Sequence, residues 1–82
     1  MLIEIFEARG LTNTDELDGL LIELHKKYRE DIAIIKVNVL NHRVEEVIRI
    51  VKERGMDSLP IIRIDGKISS ITALKELLKR QR

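Results

Sequence analysis

No cysteine occurs anywhere in the 82 residues, and that absence limits how so short a chain can hold itself together. Chains of this size bury a modest fraction of their surface and often depend on disulfides or a structural metal. Without thiols, both a disulfide framework and a thiolate zinc site are excluded. Stability must come from aliphatic packing in one core, so one domain spanning residues 1–82 is expected. The composition fits, with 44% hydrophobic residues, only 2% aromatic and 35% charged. Abundant Ile, Leu and Val among dense Lys, Arg and Glu is a pattern associated with work at high temperature, and a thermophilic source is expected.

Charge and hydropathy narrow the function classes. Fifteen basic and 14 acidic residues leave a net charge of +1, so no overall field favours nucleic acid or an anionic membrane. The apolar runs, such as 32–35 and 20–22, are too short to cross a bilayer. The chain opens straight into a strand pattern, with no charged leader ahead of an apolar stretch. A cytoplasmic protein is expected, binding neither membrane nor nucleic acid and using no cofactor.

Hydrophobic periodicity orders the elements. Residues 1–8 carry β-branched and aromatic side chains with partial alternation and predict a strand. Residues 9–14 read as a loop. Asn13 or Thr14 is expected to cap a helix, with Asn13 and Glu16 spaced as a capping box. Leu17, Leu20, Leu21, Leu24 and Tyr28 then recur at helical spacing to about residue 29. The near-continuous apolar start of residues 32–40 predicts a strand covered on both faces, as in a parallel sheet. Asn41 is expected to cap a second helix carrying Val44, Val47, Ile48 and Val51 and ended by Gly55. Residues 59–64 and 67–70 predict two strands joined by an Asp65-Gly66 hairpin turn. A closing helix begins at Ser70 or Thr72, bears Leu74, Leu77 and Leu78, and has a basic end, Lys79-Arg80-Gln81-Arg82.

The order is β-α-β-α-β-β-α: an α/β fold with a four-stranded mixed sheet flanked by three helices. The helical crossover predicts that the first two strands are parallel and right-handed.

This order resembles the thioredoxin and glutaredoxin superfamily, in particular its small archaeal-type members, and three segments carry the likeness. Ile3-Glu4-Ile5-Phe6 is similar to the family's first strand. Ser58-Leu59-Pro60, running on to Asp65-Gly66-Lys67, resembles the proline segment that enters the third strand. Val37-Asn38-Val39 is similar to the end of the second strand. The resemblance implies a cis proline at Pro60, whose preceding residue offers backbone hydrogen bonds to an extended peptide. It also implies a second strand at the sheet edge. In such proteins the first thiol of a C-x-x-C motif falls five residues after the strand's aromatic. Counting from Phe6, that position is Leu11, and the second thiol position is Thr14.

Leucine and threonine supply neither thiolate nor sulfur leaving group, so dithiol exchange, monothiol chemistry and thiolate metal binding are all excluded. Thr14 has no neighbouring base in sequence to activate it. The reading is a redox-inactive module acting through a protein partner or a homodimer. Its candidate site is the degenerate pole of Gly10, Leu11, Thr12, Asn13, Thr14, Ser58, Leu59 and Pro60. A plainer alternative makes 11–14 a helix cap with Leu11 resting on the core. The second strand is a further candidate surface, because apolar edge strands pair readily with another chain.

Two other functions compete. A glutaredoxin-like enzyme would bind a small thiol through Lys67, Arg9 or Arg63. A nucleic-acid or regulatory protein would use the basic end at Lys75, Lys79, Arg80 and Arg82, although base-stacking aromatics are scarce. His25 and His42 are isolated and read as surface residues rather than metal ligands. No catalytic residue is expected.

Overall fold

The computed structural model describes residues 1–80. It contains β1 (Leu2–Glu7), α1 (Asp15–Tyr28), β2 (Ala33–Asn38), α2 (Glu45–Arg54), β3 (Ile61–Ile64), β4 (Lys67–Ser69) and α3 (Ile71–Lys79), with short 3-10 turns at Arg29–Asp31 and Met56–Ser58. The strands form one mixed sheet in the order β2-β1-β3-β4. β1 pairs parallel with β2 and antiparallel with β3, and β3 pairs antiparallel with β4. The fold is therefore α/β, with a four-stranded mixed sheet and three helices.

Alternation along β1 separates two cores. Ile3 and Ile5 point to one face, where Leu17, Leu21 and Leu24 of α1 and Leu74 and Leu77 of α3 meet them. Phe6 points to the other face and packs with Val47 of α2, Leu59 and Ile61. Ile3, Ile5 and Phe6 are fully buried, so β1 is the strand on which both layers are built.

Polar groups fix the layers in place. Tyr28 donates its hydroxyl hydrogen to the Leu77 carbonyl at 2.7 Å, and Lys27 donates to the Leu77, Leu78 and Arg80 carbonyls. The end of α1 thus satisfies the carbonyls left open at the end of α3. On the α2 face, Arg63 makes a bidentate pair with Glu4, both bonds 2.8 Å, and lies over the Phe6 ring at 4.9 Å. Its guanidinium stacks over the Phe6 ring as a cation–π contact.

Several expectations need correction at element ends. α1 has Thr14 at its N-cap position but no side-chain cap. Asn13 Oδ1 instead accepts from the Asp15 amide, and the Thr14 hydroxyl donates to Asp18. No capping box forms, because both side chains are satisfied locally. Asn41 does not cap α2. That helix starts later, with Val44 at its N-cap, and Asn41 belongs to a turn in which its amide and that of His42 both donate to the Asn38 carbonyl. β2 is not covered on both faces: Ala33 and Ile35 on the α2 face and Lys36 on the α1 face are exposed, because β2 is the edge strand of the sheet, beyond full cover by the helices. Gly55, at φ 83°, does end α2, its amide donating to the Val51 carbonyl, and Ser70 caps α3 by accepting from the Ala73 amide. Asp65 and Gly66, at φ 49° and 84°, form the tight hairpin turn.

Two outcomes test this packing. Leu74→Ala, at a site with no exposure, should cost about 2–5 kcal/mol in urea unfolding. The hydrogen bonds from Arg63 hold the Glu4 carboxyl below its ordinary value, against a smaller opposing effect of burial. A carboxyl depressed in the folded state contributes stability above the ordinary glutamate value of about 4.3, lost as pH falls through the folded value. Glu4→Gln should therefore cost roughly 1–3 kcal/mol at neutral pH. The difference between mutant and parent should begin to shrink only below the ordinary glutamate value and vanish in stronger acid, once pH is below the depressed folded value.

Candidate functional site at the end of the sheet

β1 and β3 run antiparallel with Phe6 opposite Ile61. The loop leaving β1 and the segment entering β3 therefore emerge at the same end of the sheet. This places Gly10–Thr14 and Ser58–Pro60 at one pole, with Ala8 and Leu59 in the same core cluster beneath them.

The 10–14 loop is tightly wound. The Ala8 carbonyl accepts from the amides of Leu11 at 2.9 Å and Thr12 at 3.0 Å, and the Thr12 hydroxyl oxygen accepts from the Ala8 amide. Gly10 sits at φ 86°, where a side chain would be strained. Asn38, at the end of β2, accepts from the Arg9 and Leu40 amides through Oδ1, both at 3.2 Å. One side chain thus ties together the loops that follow the two parallel strands. Sequence reasoning missed this role, although an asparagine just before a loop is a signal for such bonding.

With its backbone held in this way, the loop projects Leu11 into solvent at 74% exposure. Leu11 does not rest on the core, so the plainer cap-and-core reading of this residue is overturned. Leu59 is the reverse case. Its side chain is 7% exposed and belongs to the α2-face core, so only its backbone is available at the pole. The Leu59–Pro60 peptide bond is cis. Ser58 donates to the Gly55 carbonyl at 2.7 Å. Ser58 and Pro60 line a groove of about 410 Å³ with Ile50 and Arg54 of α2 and Ile68 of β4.

The basic residues considered for a small acidic ligand are not brought together. Arg63 is committed to Glu4 and approaches Glu46 at 3.6 Å. Lys67 stands at the hairpin end of the sheet, opposite Ile64 and away from the pole, whereas Arg9 is at the pole. At the other end of the chain, Lys75 pairs with Glu16 at 3.0 Å and Lys79 approaches Glu76 at 3.9 Å. Gln81 and Arg82 lie outside the described residues. His25 is on α1 and His42 precedes α2. Among the described residues no group of three or more His, Asp or Glu could hold a metal ion, and no helix is long and apolar enough to cross a membrane.

No family model matches the chain. A segment of 38 residues, 46% of the chain, is 45% identical to cystathionine beta-synthase of Saccharomyces cerevisiae. The chain spans 8% of that protein's length.

Gly10→Ala meets no neighbouring atom within 4 Å, so its cost is conformational alone. A loss of about 1 kcal/mol is expected, read as a lowered Tm. Asn38→Ala should speed hydrogen exchange at the Arg9 and Leu40 amides together while leaving Ile5 protected, because it removes the shared acceptor.

Proposed function

We propose that the chain is a thioredoxin-like module without thiol chemistry that works by binding another protein chain. The sheet order, the helices α1 and α3 on one face with α2 on the other, and the proline segment entering β3 beside the loop after β1 all support the family reading. The pole that would carry thiols in that family here carries Leu11 and Thr14. The observation that carries the binding reading is Leu11. A large apolar side chain at 74% exposure, on a loop braced by Asn38 and Ala8, is a pre-organised apolar anchor rather than a collapsed core residue.

A glutaredoxin-like thiol-binding enzyme gains no support, since Arg9, Arg63 and Lys67 do not converge. The likeness to cystathionine beta-synthase covers too little of that protein to bring its activity here.

The test is a peptide array probed with the parent chain and with Leu11→Asp, a change at an exposed site that leaves the core intact. Binding through the pole predicts a parent set of bound peptides that Leu11→Asp weakens at least ten-fold. An unchanged set would place binding elsewhere.

A further inference from the structure

Strand β2 is where sequence and single chain fit least well. Its apolar run, Ala33-Ile34-Ile35 followed by Lys36-Val37, has the composition of a strand covered on both faces, yet Ala33 and Ile35 are exposed. In one copy it is an edge. Ile35 is left 48% exposed on the α2 face, and on the other face Ile22 of α1, which lines a groove with Ile34 and Lys36, is 57% exposed. Between α1 and β2 runs an open groove of about 670 Å³, lined by Asp18, Leu21, Ile22, Lys26, Ile34 and Lys36. The opposite edge, β4, is only three residues long, a common protection against strand pairing. β2 has six residues and neither proline nor bulge. A lysine on an edge strand is another common guard, but Lys36 is drawn onto Asp18 of α1 and leaves the backbone edge open.

The ladder fixes which groups are offered. The Ala33 amide donates to the Met1 carbonyl and the Val39 amide to the Glu7 carbonyl, so odd-numbered residues of β2 turn their backbone groups toward β1. Ile34 and Lys36 therefore direct theirs to the open edge. An antiparallel copy of β2 must also keep the α1 face against the α1 face, which pairs even residues with even ones. Centring the pairing on Ile35 satisfies both conditions. Ile34 then exchanges two hydrogen bonds with the second copy's Lys36, and Ile35 meets Ile35 in a close non-hydrogen-bonded pair. A shift centred on Lys36 would set lysine against lysine and is disfavoured.

The helix beside the strand is self-complementary about the same axis. Asp18, Ile22 and Lys26 are successive turns on the groove side of α1. An antiparallel helix pair centred on Ile22 sets Asp18 against the second copy's Lys26, Ile22 against Ile22, and Gly19 against His25. Opposite charges, apolar against apolar and small against large fall into register together. Strands ~4.8 Å apart and helices ~10 Å apart allow both contacts around one two-fold axis.

We propose that a second copy of this chain occupies the β2–α1 edge, joining two sheets into one of eight strands through a two-fold axis at Ile35. This rests on the reading of the chain as a binding module and names the partner of its sheet edge. The test is light scattering after size exclusion, from micromolar to millimolar chain. A mass rising to about twice the 9.5 kDa of one chain is expected. Ile35→Lys, at an exposed site, should return the mass to one chain with its circular-dichroism melt retained. Lys26→Glu should raise the dissociation constant ten-fold or more. Amide exchange at Ile34 and Lys36 should slow as concentration rises. A one-chain mass throughout, or a dimer that Ile35→Lys and Lys26→Glu leave intact, overturns the proposal. If Leu11→Asp is the change that dissolves the dimer, the edge proposal fails while the binding reading stands.

Discussion

The structure depends on β1 being paired along both of its edges and buried on both of its faces. Parallel pairing to β2 brings the crossover helix α1 onto one face, and antiparallel pairing to β3 brings the proline segment back beside the loop that leaves β1. Because Ile3 and Ile5 serve one core and Phe6 the other, a one-residue slip of β1 would exchange the faces and destroy both layers. The polar contacts reinforce this register. Glu4 of β1 and Arg63 of β3 can meet only when these strands are aligned as observed.

The same constraint creates the two surfaces to which binding is proposed. At the sheet's end, the two loops that flank β1 and β3 must converge, and Asn38 locks the first of them to the loop after β2. At the sheet's side, β1 takes β2 as its outer neighbour and leaves that strand's far edge open. Neither surface carries a cysteine, and among the described residues neither holds a group of three or more His, Asp or Glu that could bind a metal ion. What they present is exposed apolar area at Leu11 and Ile35 and the open backbone edge of β2, the features on which the proposed binding to a polypeptide rests.

Much of the fold was legible in the sequence. The apolar stripes of α1 and α3, the Asp65-Gly66 turn, and Gly55 and Ser70 at helix ends are local signals, and each is where its chemistry implies. The misses share a physical cause. Asn13, Thr14 and Asn41 can satisfy several nearby backbone or side-chain groups, and sequence alone does not decide which one wins. The exposure of Leu11 and the burial of Leu59 depend on where two loops land once β1 and β3, far apart in the chain, have paired in the sheet. The Glu4–Arg63 pair likewise exists only through strand register. At β2, composition indicated a strand covered on both faces, but its place at the sheet edge leaves Ala33, Ile35 and Lys36 exposed, and strand order is not a local signal.

The open edge of β2 is therefore where pairing with a second copy is most directly tested. An isotope-filtered NOE experiment on an equal mixture of ¹³C-labelled and unlabelled chain reads the contact directly. Pairing of two copies through the β2–α1 edge predicts intermolecular cross-peaks from the Ile35 methyls to Ile35 and from the Ile22 methyls to Ile22. A concentrated sample with no intermolecular signal from either residue would contradict it.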